Sequence, residues 1–274
     1  MSFEERLALL VDRELNARSD RKRARLLQRA QLKYPNATVE DAAFGEVRGI
    51  DRKTLTSLAL SGWVERGDTV LFGGATGLGK TWLACALAQY ACRRGHSALY
   101  LRAPRLPEEL RVLHGAGGFG KWLAQLARTD VLILDDWGTG NIDATTRNDL
   151  LEIIDDRAGH RATIIAHQLP VEHWHGWIGD ATIADAILDR LMQRVHRFIL
   201  EGESRRTGAT RKPAARARAQ ATGLRSPIHT QEASMSCPRP TRYTASLRNA
   251  VAASPVTIAE TRGHDAETHG HVAS

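Results

Sequence analysis

The stretch LFGGATGLGKTWLA, Leu71 to Ala84, decides the fold class of this 274-residue chain. Its centre matches the pattern GxxxxGK[ST], in which glycines let successive main-chain N–H groups turn toward a polyphosphate. The apolar run Thr69–Gly73 before it predicts a buried strand, and the residues after it predict a helix whose positive N-terminus faces the same point. The sequence therefore predicts a phosphate-binding loop, formed by Gly74, Ala75, Thr76, Gly77, Leu78, Gly79, Lys80 and Thr81.

Two side chains of this loop are expected to act on a nucleotide directly. The ammonium group of Lys80 would reach the β- and γ-phosphates, and the hydroxyl of Thr81 would ligate Mg²⁺. The expected cofactors are therefore ATP and Mg²⁺.

The run VLILDDWG, Val131 to Gly138, supplies acidic groups at the end of a second predicted strand. Ligands of open parallel sheets bind at the carboxyl ends of the strands, which is where Asp135 is expected. Asp135 would hold Mg²⁺ through a water molecule, and Asp136 would orient the attacking water. Adjacent carboxylates at a strand end can also be solvated turn residues, but the upstream phosphate loop favours the catalytic interpretation. Because Asp136 is one methylene shorter than glutamate, slow turnover is expected.

Strand and helix signals alternate after Thr69, which is typical of a parallel sheet covered by helices on both faces. The predicted strands are Thr69–Gly73, Ser97–Arg102, Asp130–Leu134, Ala162–Ala166 and Arg197–Leu200. The predicted helices are Asp51–Trp63, Lys80–Arg94, Pro107–Leu113, Phe119–Arg128, Asp143–Ala158 and Ile183–His196.

The last of these helices contains a candidate catalytic arginine. Arg190 and Arg194 lie four residues apart, opposite an apolar face. Arg190 is either a solvated residue or an arginine finger that reaches the γ-phosphate of a neighbouring subunit. In the preceding stretch VEHWHGW, the two tryptophans are expected to pack into the fold rather than support a metal site.

The first 32 residues predict a helical N-terminal region with an apolar stripe of Leu7, Leu10, Val11 and Leu15. Ser19 or Asp20 could begin a second helical segment there. A basic cluster follows, which is either a solvated helix face or a contact surface for the DNA backbone. Its members are Arg21, Lys22, Arg23, Arg25, Arg29 and Lys33.

Composition limits the remaining possibilities. The net charge is +7, and nine Lys/Arg against four Asp/Glu from Thr207 onward place +5 of it in the tail. That tail is expected to be largely disordered because it has no sustained periodicity. The three cysteines form no CxxC pair, so neither a zinc site nor a disulfide framework is indicated. No signal peptide or membrane span is recognisable, and a cytoplasmic protein without a membrane partner is expected.

The sequence resembles the IstB/DnaC-like family of ATP-binding proteins, particularly its IstB branch, the helper ATPases of insertion-sequence transposition. The resemblance covers about Ser2 to Arg206, and QLPVEHWHGWIGD followed by IADAILDRL is its most specific part. The other matching segments are SFEERLALLVDRE, GATGLGKTWLACALA, SALYLR, LILDDWG, DLLEIIDDR and GES.

This resemblance implies an α/β fold of the AAA+ P-loop NTPase type, with a small helical region (1–66), an ATPase core (67–206) and a basic tail (207–274). It implies ATP-dependent assembly into a homo-oligomer on duplex DNA, and a partnership with the transposase of the same element. Lys80, Thr81, Asp135 and Asp136 fall on the family's nucleotide-binding positions, and Arg190 falls on its box VII arginine.

The chain departs from the family pattern at the end of the fourth strand, the sensor position. Relatives usually carry a polar pair such as Thr-Ser or Ser-Asn there, whereas this chain has Ala166 and His167. An imidazole at His167 could donate a hydrogen bond to a γ-phosphate, but it titrates near neutrality. Relatives also generally have further helical residues before SFEERL, so a late start of this chain is expected.

Two other functions remain open from the sequence. A DnaC-like replicative helicase loader would share the same core and would prefer single-stranded DNA. A nucleotide-binding regulator with impaired hydrolysis would follow if His167 disabled turnover.

Overall fold

Five parallel strands form one sheet whose order places the glycine loop near its middle. The computed structural model describes residues 2–42, 50 and 52–202. The sheet order is β2-β3-β4-β1-β5, and every neighbouring pair is parallel. The strands are β1 (Thr69–Gly74), β2 (Ala98–Arg102), β3 (Val131–Trp137), β4 (Ala162–His167) and β5 (Val195–Leu200).

Helices connect the strands and cover both faces of the sheet. Crossovers between parallel strands are right-handed as a rule. Since the chain reverses its direction across the sheet after β2, this rule assigns α3 to one face and the later connecting helices to the other. The predicted α/β fold with a parallel sheet is thus confirmed. The helices are α1 (Phe3–Ala30), α2 (Arg52–Leu60), α3 (Lys80–Arg93), α4 (Leu106–Gly115), α5 (Phe119–Ala127), α6 (Ala144–Asp155), α7 (Trp174–Ile178) and α8 (Ala181–Met192).

The core lies along the interior strands, which read as continuous apolar runs because helices cover them on both sides. Val131 to Leu134 of β3 are fully buried, as is every residue of β4. Cys85 and Cys92 of α3 are free thiols and are fully buried in this core. None of the helices in the described part combines the length and apolar character that crossing a bilayer requires.

Several predicted element boundaries were wrong. The helix Ile183–His196 ends at Met192, because β5 begins at Val195, which pairs with Thr69 of β1. Sheet pairing therefore overrides the helical periodicity of these residues. The helix that was predicted to reach Trp63 ends at Leu60 and is followed by turns, with Gly62 at a φ of +70°.

The N-terminal region forms one continuous helix rather than two segments. Ser2 caps α1 in a reciprocal capping box with Glu5. The predicted break is wrong, because Asp20 lies within the helix and forms an ion pair with Arg23 one turn later. The predicted apolar stripe does share one side of α1, but its residues remain 49% to 64% exposed. The described residues of this chain therefore do not cover it.

The segment after α1, residues 31–42, packs on the core. Its residues Leu32, Ala37, Val39 and Ala42 are buried. Arg93 of α3 donates to both carboxylate oxygens of Glu40 at 2.7 and 2.9 Å. The proposed division at residues 66 and 206 stays a prediction. Residues 203–274, which include Cys237 and all of the predicted tail, lie outside the described residues.

A single buried guanidinium joins three elements at the amino edge of the sheet. Arg157 is 2% exposed and donates to the carbonyls of Leu126, Thr129 and Ala162 at 2.6 to 2.9 Å. Burial lowers its pKa to about 9. Its donors thus link main-chain acceptors at the end of α5, just before β3 and at the start of β4.

Replacing Arg157 with methionine is expected to lower the free energy of unfolding by about 2 to 4 kcal/mol, because several buried carbonyls lose their donor. Urea denaturation followed by circular dichroism measures this effect. Arg161→Met is the matched control: the Arg161 side chain is 39% exposed and pairs with Asp130, so a loss below about 1 kcal/mol is expected. Equal losses for the two variants would contradict the assigned role of Arg157.

Candidate functional site

The glycine loop leaves the carboxyl end of β1 and enters α3 with a backbone that only glycine accommodates at several points. Gly74 has a φ of +136°, and a Cβ there would lie 2.3 Å from the carbonyl oxygen of Leu200. Gly79 has a φ of +97°, while a Cβ there would meet nothing within 4 Å. Left-handed backbone therefore shapes the loop, and its mouth beside Gly79 is open.

Lys80 extends across this loop although it is almost fully buried. Its Nζ atom donates to the carbonyl oxygens of Gly74 and Ala75, both at 2.7 Å. These contacts place the ammonium over the loop, where it can receive the negative charge of a polyphosphate.

Asp135 lies at the carboxyl edge of β3, beside the start of α3. Its Oδ1 atom accepts a hydrogen bond from the Thr81 hydroxyl at 2.8 Å, and its Oδ2 atom accepts one from the Tyr100 hydroxyl at 2.6 Å. The Nζ atom of Lys33 lies 3.6 Å from the same Oδ2 atom. The structure thus brings together Thr81 and Asp135, as the two motifs predicted, and adds Tyr100 and Lys33.

A bulge in β3 separates the directions of the two adjacent carboxylates. Leu134 pairs with Ile165 and Trp137 pairs with His167, so Asp135 and Asp136 together face a single residue of β4. Asp136 has a φ of +57°, which is uncommon for a residue other than glycine. Such bulges redirect side chains at functional edges of sheets.

Arg102 of β2 contacts the second carboxylate. Its Nη2 atom lies 2.7 Å from Oδ2 of Asp136, and this hydrogen bond raises the pKa of the guanidinium despite the opposing effect of burial. Sequence reasoning missed Arg102, because the sequence does not show that β2 lies beside β3.

The residues at this edge fit a magnesium–nucleotide complex. The Thr81 hydroxyl and the Asp135 carboxylate are the hard oxygen ligands that Mg²⁺ prefers. Within the described ranges, no group of three or more His, Cys, Asp or Glu side chains could hold a metal by itself. This donor set suits a cation that shares its ligands with bound phosphates.

His167 ends β4 beside the loop, but its N–H group is already engaged. The Nδ1 atom lies 2.8 Å from the carbonyl oxygen of Leu169, so Nδ1 carries the proton and Nε2 an acceptor lone pair. Burial lowers the pKa of His167, and the nearby charge of Lys80 lowers it further. In this neutral form the imidazole has no second N–H to give to a phosphate, and the sensor role of His167 stays a prediction.

The neighbouring Gln168, which sequence reasoning missed, reaches the loop itself. Its Oε1 atom accepts a hydrogen bond from the Thr76 hydroxyl at 2.7 Å. The end of β4 is thus linked to the glycine loop through Gln168.

Three tryptophans support the loops that carry these residues. Trp137 packs edge-on against Trp174 and Trp177, with ring centroids 5.7 and 5.0 Å apart. The indole N–H groups of Trp174 and Trp177 donate to the carbonyls of Leu169 and Gly140. The expected packing role of the tryptophans in VEHWHGW is confirmed.

Arg190 lies near the end of α8, away from this chain's own glycine loop. The residues that follow it enter β5 at Val195, opposite the first residue of β1, whereas the loop follows the last residue of β1. Its guanidinium forms an ion pair with Asp155 of α6. Arg194, which was predicted to share the helix, lies beyond the end of α8.

The predicted basic cluster divides into two parts. Five of its residues lie exposed on α1, and two of these have acidic neighbours on the helix, since Arg21 lies 3.5 Å from Glu14 and Arg23 lies 2.8 Å from Asp20. Lys33 follows the helix, and its ammonium faces Asp135.

This strand order, with a glycine loop after β1 and an acidic pair at the end of β3, defines an ATP-binding protein of the AAA+ class. The chain belongs to the IstB-like ATP-binding protein family, whose family model, described as "IstB-like ATP binding protein", matches residues 1–213.

Sequence relatives agree with this assignment. A Pseudomonas fluorescens protein named for insertion sequence IS1162 and for ATP binding is 53% identical over 62% of this chain and 74% of its own length. A Pseudomonas aeruginosa protein named for insertion sequence IS21 and for ATP binding is 31% identical over 77% of this chain and 80% of its own length.

Solved structures agree on the fold. The crystal structure of the DnaC helicase loader superposes with a TM-score of 0.51 at 20% identity, over 62% of this chain and 99% of that one. The replication initiator DnaA bound to AMPPCP and single-stranded DNA gives a TM-score of 0.51 at 18% identity, over 63% of this chain and 52% of that one.

The depressed pKa of His167 predicts a pH dependence of stability. The folded state resists protonation of His167, whereas the unfolded chain binds a proton near the ordinary value of 6.5. The neutral imidazole therefore makes its full contribution to the free energy of unfolding above about pH 6.5. This contribution is lost as the pH falls through the pKa of the folded state. His167→Asn is expected to reduce the fall in melting temperature between pH 7 and pH 5.

Thermal unfolding of the nucleotide-free protein across this range measures the difference. His173→Asn, at an exposed histidine of the same region, is the control and should follow the wild type. Parallel curves for wild type and His167→Asn would contradict the prediction.

Proposed function

We propose that this protein is a DNA-dependent ATPase that assembles on duplex DNA and assists the transposase of its insertion sequence. The contact between Thr81 and Asp135 carries the ATPase part of the proposal, because it joins the phosphate loop to an acidic strand end. Membership of the IstB-like family and the insertion-sequence names of the relatives support the transposition part.

In this proposal the residues of the carboxyl edge divide the work of hydrolysis. The loop amides and Lys80 bind the polyphosphate, and Thr81 and Asp135 hold Mg²⁺, which supplies charge neutralisation at the phosphates when bound. Asp136 orients the attacking water with the carboxylate oxygen that does not contact Arg102. The hydrogen bond from Arg102 fixes the other oxygen of Asp136.

Arg190 supports assembly as a homo-oligomer. Since it lies at the amino edge of its own sheet, it can act as an arginine finger only on the nucleotide of another copy. Its ion pair with Asp155 would then have to exchange for contact with the neighbour's phosphate.

The exposed basic residues of α1 are the proposed contact surface for duplex DNA. Arg21, Lys22, Arg23, Arg25 and Arg29 present their charges within about three helical turns, a length that suits contacts along a phosphate backbone. Lys33 belongs to the same predicted cluster, but its ammonium lies at Asp135. We place the protein in the cytoplasm, where the DNA and the transposase would be met.

Two alternatives follow from specific observations. The fold similarity to the DnaC helicase loader favours a loader, which would form a complex with a replicative helicase and prefer single-stranded DNA. The engaged N–H of His167 favours a nucleotide-binding regulator, which would bind ATP without hydrolysing it.

Lys80→Ala is expected to weaken ATP binding about 10-fold or more, because a charge-assisted contact to the phosphates is lost. Asp136→Asn is expected to retain ATP affinity and to lower the hydrolysis rate about 100-fold, because the water loses its orienting group. Equilibrium binding of a fluorescent ATP analogue and phosphate release separate the two effects. Unchanged ATP affinity in Lys80→Ala would refute the site, and wild-type binding without any hydrolysis would favour the regulator.

The triple variant Arg21→Gln, Lys22→Gln, Arg25→Gln is expected to bind duplex DNA about 10-fold or more less tightly. The slope of log affinity against log salt concentration should fall by the equivalent of about two to three phosphate contacts. Fluorescence anisotropy at several salt concentrations measures both quantities. The control substitutes three exposed basic residues of other elements, Arg111, Lys121 and Arg128, with glutamine. Equal losses in both triple variants, or ATPase activity that duplex DNA leaves unstimulated, would contradict the proposal.

A further inference from the structure

The buried carboxylate of Asp135 has a positively charged neighbour from outside the sheet. Asp135 is 1% exposed, and the Nζ atom of Lys33 lies 3.6 Å from its Oδ2 atom, with the Lys33 side chain 35% exposed. Thr81 and Tyr100 supply neutral hydroxyl donors to the same carboxylate. A buried carboxylate is costly unless it is compensated, and Lys33 brings a full positive charge to it.

The chain around Lys33 is fixed to the helix that carries Thr81. Glu40 of the segment after α1 accepts two hydrogen bonds from Arg93 of α3, at 2.7 and 2.9 Å. Lys33 belongs to this segment, which is thus joined to the helix whose first turn contains Thr81.

The two oxygens of Asp135 face different partners. Oδ1 faces Thr81, the side on which the metal ligands lie, whereas Oδ2 faces Tyr100 and Lys33. Lys33 therefore approaches the carboxylate at the oxygen that does not contact Thr81.

We propose that Lys33 is a positioning residue of the metal site, which orients Asp135 and partly neutralises its charge, and so sets the Mg²⁺ concentration that nucleotide binding requires. This inference rests on the proposed binding of a magnesium–nucleotide complex at Thr81 and Asp135. It gives the segment after α1 a role in the site, because that segment determines where the ammonium lies.

Lys33→Gln removes the charge while keeping a polar side chain of similar length. The uncompensated Asp135 then attracts a cation more strongly, and the Mg²⁺ concentration for half-maximal binding of a fluorescent ATP analogue is expected to fall about 3- to 10-fold, since charges several ångströms apart near a surface interact by about 1 kcal/mol. Lys33→Arg keeps the charge and should stay within about twofold of the wild type. Lys121→Gln, an exposed lysine of α5, controls for the change in net charge.

A double-mutant cycle with Asp135→Asn identifies the partner. Without the Asp135 charge, Lys33→Gln should no longer shift the Mg²⁺ midpoint, so the two effects are strongly non-additive. A structural role of Lys33 alone would weaken binding equally at all Mg²⁺ concentrations, and Lys33→Arg would not restore it; that result would overturn the inference.

The cycle also separates this inference from the proposed function. If Asp135→Asn raises the Mg²⁺ requirement while Lys33→Gln matches the wild type, the inference fails and the metal site stands. If Asp135→Asn leaves the Mg²⁺ requirement unchanged, the proposed metal role of Asp135 fails, and the inference fails with it.

Discussion

The hydrogen bond between the Thr81 hydroxyl and the Asp135 carboxylate is the contact on which the organisation of this protein depends. It joins the first turn of α3, which follows β1, to the end of β3, although β4 lies between β1 and β3 in the sheet. The parallel strand order directs the carboxyl ends of these strands to one edge. A helix N-terminus and an acidic strand end thereby meet at a single point, where one side supplies positive potential and the other negative charge.

Around this contact, the structure redirects side chains by local departures from regular geometry. The β3 bulge and the positive φ of Asp136 allow two consecutive carboxylates to reach different partners, Thr81 for one and Arg102 for the other. Such a backbone is stable only where its surroundings hold it. The edge-on packing of Trp137 on Trp174 and Trp177 supplies that support immediately after the bulge.

Most of the fold could be predicted because its signals are local. The glycine pattern, the apolar runs of the interior strands and the alternation of elements each depend on a few consecutive residues. The end of α8 could not be located in this way, because Val195 and His196 are drawn into β5 by pairing with β1, more than 120 residues earlier. The contacts of Arg102 and Lys33 were hidden for the same reason: each depends on which strands and segments are neighbours in space. The apolar stripe on α1 illustrates the same limit. Periodicity identified this face of the helix, but it did not show what would cover the face, and its residues are exposed.

The two edges of the sheet impose a condition on any assembly in which Arg190 acts. The glycine loop lies at the carboxyl edge and Arg190 at the amino edge. A productive contact must therefore bring the amino edge of one copy to the carboxyl edge of the next, which is a heterologous contact and not a self-complementary one. Repetition of such a contact gives a ring if the rotation closes and a helical filament if it does not. In either case each interface contains one nucleotide site, so the number of complete sites follows directly from the number of contacts formed.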